Sequence, residues 1–262
     1  MRALHTAATG MMAQELNVQV ISNNIANMRT TGYKRQRAEF QDLLYEHVSR
    51  VGTQTSNQGN QLPAGIELGS GVKTVGTPRL MTQGTLVQTG KDYDVAIRGE
   101  GFFKILLPDG RTAYTRDGSF ELDSQGRLVT AQGNLVQPAI TIPQNAQSVA
   151  ISAQGQVSAT LPGQTTPTTL GQIELSMFVN KAGLQGIGDN LYLETPASGA
   201  PQNGTPNVDG FGNLQQGNLE QANVEAVSEI SDLIAAQRAY EMNAKVISAA
   251  DQMLQSTSQL MR

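Results

Sequence analysis

QANVEAVSEISDLIAAQRAYEMNAKVISAADQMLQSTSQLMR, residues 221–262, decides how the rest of the chain is read. It holds neither Pro nor Gly, and Leu233, Tyr240, Ile247, Leu254 and Met261 recur seven apart. A seven-residue apolar repeat keeps one seam turned toward a partner helix. At about 1.5 Å per residue, roughly forty helical residues span about 60 Å, longer than a small domain is wide. The neighbouring row, Ile230, Gln237, Ala244, Asp251 and Ser258, is mostly small or polar. The seam is therefore narrow and buries too little to be stable alone. Arg238 and Glu241 lie beside it, and Glu241 precedes Lys245 in the favourable i,i+4 order.

The other end of the chain carries the same device. Leu4, Met11, Val18 and Ile25 stand seven apart, flanked by Ala7 and Ile21. A helix is expected from about Arg2 to Asn27, ending in the asparagine-rich run Ser22-Asn23-Asn24-Ile25-Ala26-Asn27, whose side chains bond their own backbone. Thr30-Thr31-Gly32-Tyr33-Lys34 then makes a turn in which Gly32 is free to take positive φ. Asn27 and Gly32 are the candidate hinge. The two terminal helices can pair antiparallel within one chain, or pack against other copies; heptads satisfy both.

Between them the pattern changes. Residues 35–45 read as a short helix or an extended arm. Gly52 to Gly76, rich in Gly, Gln, Thr, Asn and Ser, reads as a long loop, longer than a simple connector needs. From 76 to about 218, short β-type runs alternate with turns such as Pro108-Asp109-Gly110 and Asp117-Gly118. The runs are 95–97, 102–106, 113–115, 128–129, 139–142, 149–151, 173–175 and 191–193. The expected fold is α+β: long N- and C-terminal helices pairing as a coiled-coil-like inner domain, and an antiparallel all-β middle domain. The expected division is 1–30 with 219–262 as the helical domain, 31–75 as arm and loop, and 76–218 as the β domain with its return linker.

Composition narrows the function classes. Charged residues make up 15% of the 262, and the net charge is −4. Such a chain lacks the electrostatic footprint for nucleic acid and the polybasic patch for anionic lipid. It has no cysteine, so disulfides and thiolate chemistry are out. No apolar run reaches membrane-spanning length, so no membrane insertion is expected. The N-terminus is amphipathic and lacks the pattern of a cleavable signal peptide. His5 and His47 show no metal-ligand spacing. Gly99-Glu100-Gly101 leads into a strand rather than a helix, so it is no nucleotide loop. Asp92, Asp94 and Asp117 could serve as paired carboxylates in a periplasmic carbohydrate-active domain, but turn aspartates are common and no other catalytic pattern accompanies them. No enzyme and no cofactor are expected.

Several stretches resemble one family. The first-helix end, from Ser22-Asn23-Asn24-Ile25-Ala26-Asn27 through Thr31-Gly32-Tyr33-Lys34, is similar to the N-terminal signature of the rod and hook axial proteins of the bacterial flagellum. Gln216-Gly217-Asn218-Leu219-Glu220, Asn223-Val224 and Ala236-Gln237-Arg238-Ala239-Tyr240-Glu241 with Asn243 resemble its C-terminal signature. Leu62-Pro63-Ala64-Gly65-Ile66, Gly69-Ser70-Gly71-Val72, Gly99-Glu100-Gly101-Phe102-Phe103 and Ala113-Tyr114-Thr115-Arg116-Asp117-Gly118-Ser119-Phe120 resemble its middle and point to its distal rod branch. Ala222, where the family has a serine, and Met28-Arg29 depart from the pattern.

The resemblance implies a homopolymer that forms a rigid hollow drive shaft spanning the periplasm and transmits torque to the hook. Its partners would be its own copies, the proximal rod proteins, the hook protein, the rod cap and the P- and L-ring proteins. Export through the flagellar type III apparatus, without a cleaved signal, is implied too. The assembly interface would be Leu4, Met11, Val18, Ile25, Leu233, Tyr240, Ile247 and Leu254, with Arg238 and Glu241 bonding between neighbours. Leu62, Pro63 and Gly65 would lie in a subunit-contacting loop. A proximal rod or hook subunit is the alternative within the family, although a hook subunit needs more β structure in the middle.

Overall fold

The computed structural model of the chain describes residues 2–49, 64–163 and 166–260. They form two compact units, one holding residues up to Ile25, Gln36–Pro78 and those from Ala226 on, the other holding Ala26–Arg35 and Arg79–Glu225. The α+β class expected from the sequence is present, with one long helix at each end and a largely antiparallel β middle. Leu62, Pro63 and Met261 lie outside the described residues.

The first unit contains both helices, α1 (Arg2–Ala26) and α2 (Ala226–Leu260). The side-chain amide of Asn24 meets Glu229, and Gly10 meets Asn243. Between those contacts the position falls by fourteen on α1 and rises by fourteen on α2, so the helices run antiparallel and in step. In the single chain the intramolecular pair is therefore formed. α2 begins at Ala226, later than the expected 219–221, because Asn218–Glu220 is already committed to a strand. Ala222 therefore lies ahead of the helix rather than in it.

Four strands belong to the same unit: β1 (Glu39–Asp42), β2 (Tyr45–Ser49), β3 (Ile66–Gly69) and β4 (Val72–Gly76). β1 pairs with β4 and β2 with β3, both antiparallel. Residues 35–45 are consequently extended rather than helical, and 66–76 is strand where a loop is expected from composition. Gly69, Gly71 and Gly76 lower the apparent β propensity of this stretch, yet partner strands supply the hydrogen bonds that composition does not reveal. Tyr45, Val48, Ile66 and Leu68 on the β2–β3 ladder are all exposed. An uncovered two-stranded ladder is marginal by itself.

The second unit opens with β5 (Leu86–Gln88), β6 (Val95–Arg98), β7 (Phe102–Leu106), β8 (Thr112–Thr115), β9 (Phe120–Leu122), β10 (Leu128–Thr130) and β11 (Leu135–Gln137). It continues through β12 (Ser148–Ile151), β13 (Gln156–Thr160), β14 (Thr168–Gln172), β15 (Leu175–Met177), β16 (Gln185–Gly188) and β17 (Leu191–Leu193). β18 (Gln202–Gly204), β19 (Asn213–Gln216) and β20 (Asn218–Glu220) complete it. Among the described residues the main sheet has nine strands, running β16-β17-β8-β7-β11-β10-β9, with β15 joining β7 to β18. β12-β13-β14 form a second sheet, while β19 pairs with β6 and β20 with β5.

The core lies under β7: Phe103, Ile105, Val95, Ile97, Val157 and Leu175 are almost fully enclosed. On the other face of the same strands, Phe102, Tyr114, Phe178, Leu184 and Tyr192 form a smaller aromatic cluster. Tyr114 and Phe178 stand edge to face at 4.8 Å. Alternation along β7 sends Phe102 and Phe103 to opposite layers. Of the expected runs, 139–142 is no strand, since only Thr141 makes an isolated bridge, to Arg127.

Candidate functional site

The helix pair is the first candidate. Its closest contacts come from small and polar residues. Ala7, Ala13, Val20, Ile21 and Asn24 are buried on α1, and Glu229, Ala236 and Ala250 on α2. Residues 229, 236, 243 and 250 again stand seven apart, so the innermost row is a heptad row, set three positions after 233 and four before 240 in the expected one. A side-chain Cβ placed on Gly10 would sit 2.9 Å from Nδ2 of Asn243, which shows how near the two helices come there. Asn24 is 1% exposed; its Nδ2 donates to Gln36 O (2.8 Å) and Glu229 Oε2 (3.1 Å), and its Oδ1 accepts from Gln36 N–H (2.9 Å).

The large apolar residues flank that row. Leu4, Met11, Val18, Ile25, Leu233 and Ile247 are only partly buried, while Tyr240 and Leu254 are exposed. Val18, Tyr240 and Glu241 come together around an open groove with Glu15, Gln19 and Gln237. Arg238 is exposed on the outside of α2. Beyond these, Val227, Ile230, Ile234, Met242, Val246 and Met253 are also exposed, and with Tyr240 and Leu254 they range from 40% to 73%. α2 therefore presents more apolar surface than its own chain covers. Gly65, from the expected contact loop, is partly buried just ahead of β3.

The second candidate is a buried charge cluster in the β unit that periodicity could not reveal. Lys34, Arg116 and Glu220 are 1%, 4% and 1% exposed. Lys34 Nζ donates to Glu220 Oε1 at 2.6 Å and to Thr82 O at 2.8 Å. Arg116 Nε donates to Glu220 Oε2 at 3.0 Å, and its Nη1 to the carbonyls of Gly99 and Gly101 at 2.9 and 2.7 Å. The amide of Gly84 donates to Glu220 Oε1 at 2.9 Å. Burial lowers the Lys34 pKa below its ordinary value, against the opposing pull of Glu220 and with the help of Arg116.

Each charged member comes from a different signature stretch, Lys34 from Thr31–Lys34, Arg116 from Ala113–Phe120 and Glu220 from Gln216–Glu220. Gly99 and Gly101 supply a fourth stretch and Asn223 a fifth. Asn223 Oδ1 accepts from Arg35 N–H at 2.7 Å, and its Nδ2 donates to Leu80 O and to Thr82 Oγ1, both at 2.8 Å. The signal was visible one stretch at a time; the contact across 186 residues between Lys34 and Glu220 was not.

Gly32 sits at the margin of this cluster with φ +70°, and its N–H donates to Glu220 O at 2.8 Å. A Cβ there would fall 2.7 Å from the Asp117 backbone nitrogen. Asn27 shapes the preceding turn, its carbonyl accepting from Thr30 N–H at 3.0 Å.

Of the three carboxylates considered for hydrolysis, Asp92 is exposed and the other two have structural partners. Asp94 is buried and accepts from Thr89 Oγ1, and Asp117 accepts from Ser119 N–H and Oγ. Among the described residues, no group of three His, Cys, Asp or Glu side chains could hold a metal ion.

Three family models match the chain: the flagellar basal body rod protein model at residues 4–34, the flagellar hook protein FlgE/F/G D1 domain at 96–159, and the flagellar basal body rod FlgEFG protein C-terminal model at 215–260. The flagellar basal-body rod protein FlgG of Caulobacter vibrioides is 59% identical over 99% of this chain and 99% of its own length. FlgG of Borreliella burgdorferi is 48% identical over 100% of this chain and 99% of its own. FlgG of Bacillus subtilis is 37% identical over the whole of both chains. Full-length likeness at these levels, on a fold whose signature stretches meet in one buried cluster, makes this chain a member of the flagellar basal-body rod protein family.

Proposed function

We propose that the protein is the structural subunit of the distal rod, polymerising through its terminal helices into a rigid hollow shaft that passes torque to the hook. The observation that carries this reading is the apolar surface left on α2 beyond what α1 covers. Fully burying one large apolar side chain contributes roughly 1.5–3 kcal/mol. Side chains that begin about half exposed would contribute about 1 kcal/mol each, so eight of them supply on the order of 8 kcal/mol before the entropic cost of association. That sum favours assembly at high local concentration over a tight dimer in dilute solution. A heterologous contact that does not close on itself propagates as a filament.

Leu4, Met11, Val18, Ile25, Leu233, Tyr240, Ile247 and Leu254 would pack the inner tube, and Arg238 and Glu241 would bond between copies. The segment holding Leu62, Pro63 and Gly65 would touch neighbouring subunits, and Asn27 and Gly32 would set the turn out of the first helix. The helices would form the inner wall and the β unit the outer one. In this reading the chain is a shaft component without catalytic work. It would lie in the periplasm-spanning part of the basal body, be exported without a cleaved signal, and meet the proximal rod, hook, rod cap and P- and L-ring proteins.

The test is electron microscopy of concentrated wild-type chain beside Ile234→Asp and Met242→Asp. Straight tubes from the wild type and none from the variants, with unchanged melting of the β unit, support the reading. Wild-type chain that stays single at every concentration, or variants that assemble equally well, overturn it.

A further inference from the structure

Beside the aromatic cluster of the β unit lies a cavity of about 170 Å³, lined by Asn27, Tyr33, Arg79, Gly186, Asp189 and Asn190 among others. Its wall carries a guanidinium whose position is set on two sides. Arg79 stacks over the Tyr192 ring, 5.4 Å from its centroid. It also lies flat against Gly186, where an added Cβ would come 2.7 Å from both terminal nitrogens. Only a residue without a side chain lets Arg79 adopt this pose. Unlike Arg116, Arg111 and Arg127, each hydrogen-bonded to a carboxylate, Arg79 makes no ion pair or hydrogen bond among the described residues. A partly buried fork of five N–H donors, held in place and unanswered, is preorganised for bidentate contact with a carboxylate. Asp189 is at the rim, exposed, and does not pair with it.

We infer that the Arg79 cavity is an intersubunit site that receives an aspartate or glutamate side chain from a second copy of this chain. Charge complementarity names the occupant. The chain is net negative at −4, and Glu15, Glu121, Asp209 and Glu241 are exposed carboxylates with no ion pair among the described residues. The cavity sits at β16, the edge strand of the nine-stranded sheet, where a neighbouring chain can approach without displacing a strand. Tyr192 backs the guanidinium, and Asn27 and Asn190 line the same cavity. This inference rests on the self-assembly reading and adds to it a polar contact on the β unit.

The experiment uses full-length chain with the photoreactive residue benzoylphenylalanine in place of Ile187, which is 41% exposed on β16. Isotopically heavy and light chains are mixed, assembled and irradiated, and the cross-linked peptides are read by mass spectrometry. The expected product is a heavy–light hybrid peptide containing an Asp or Glu. Arg79→Gln should then raise the critical concentration for assembly about tenfold, equivalent to losing roughly 1.4 kcal/mol per contact. Arg79→Lys should restore only part of it, since a lysine cannot reproduce the fork. Reversing the charge of the captured acid should rescue Arg79→Glu. Tubes that form with unchanged critical concentration in Arg79→Gln, or hybrid peptides lacking an acidic residue, overturn the site while leaving assembly standing. A wild-type chain that makes no tubes defeats the assembly reading, and this site with it.

Discussion

Glu220→Gln is the substitution that asks most of the structure. It keeps the side chain's shape and removes its charge, leaving Lys34 and Arg116, 1% and 4% exposed, without their shared anion. Breaking a buried pair by removing one partner costs about 3–5 kcal/mol, because the charges left behind stay desolvated. For a unit of roughly 150 residues each kcal/mol moves the melting midpoint by about 2–4 °C, so a fall on the order of 10 °C is expected. Circular dichroism in the near ultraviolet, where Tyr114 and Tyr192 of the β unit contribute, follows the transition. Lys34→Met in the Glu220→Gln background should recover part of the loss, and the double-mutant cycle should give a coupling above about 1 kcal/mol. A pH arm checks the mechanism. Lys34 is already held below its ordinary 10.5 by burial, and without Glu220 it should fall further. Between the folded value and 10.5 the unfolded chain binds the extra proton, so stability from this group rises with pH across that window. The deficit of Glu220→Gln should therefore shrink as the solution is made alkaline. A loss under about 1 kcal/mol, with Lys34→Met equally harmful in both backgrounds, would refute a charge-held junction.

Gly32→Ala should cost about 2 kcal/mol or more in chemical denaturation, since a left-handed φ of +70° strains any L side chain and the new Cβ meets the Asp117 backbone. Asn24→Ala removes both hydrogen bonds to the Gln36 backbone and should cost about 2–3 kcal/mol, with faster amide exchange at Gln36 as its local signature. Tyr192 and Tyr114 are pushed above the ordinary 10.0 by burial, so ultraviolet titration should show two late-ionising phenols. Because the unfolded chain loses those protons first, they make stability fall as pH rises above 10.0, and Tyr192→Phe should reduce that slope. Gly10→Leu forces a branched side chain against Asn243 and should separate the helices there, read as lost helicity without change in the β unit's melting.

What the sequence settled is what depends on near neighbours. Heptads at both ends, the absence of Pro and Gly after residue 217, and Gly-punctuated strands each report on a window of a few residues. From them came the two helices, the antiparallel middle and the turn at Gly32, while the flagellar resemblance came from the signature stretches themselves. On the second helix the row that packs, 229, 236, 243 and 250, differs from the expected 233, 240, 247 and 254, because periodicity gives the spacing of a seam while the partner helix selects its phase. Gly10, Ala236 and Ala250 let the helices approach closely, so the large residues at 240 and 254 were moved outward. Strands 66–69 and 72–76 were masked by the glycine-rich composition around them, and their pairing with 45–49 and 39–42 could not be read from one window. The Lys34–Arg116–Glu220 cluster was legible only as three separate motifs. Bringing opposite charges together in a water-free site requires the whole β unit to close around them, and only the tertiary fold supplies that.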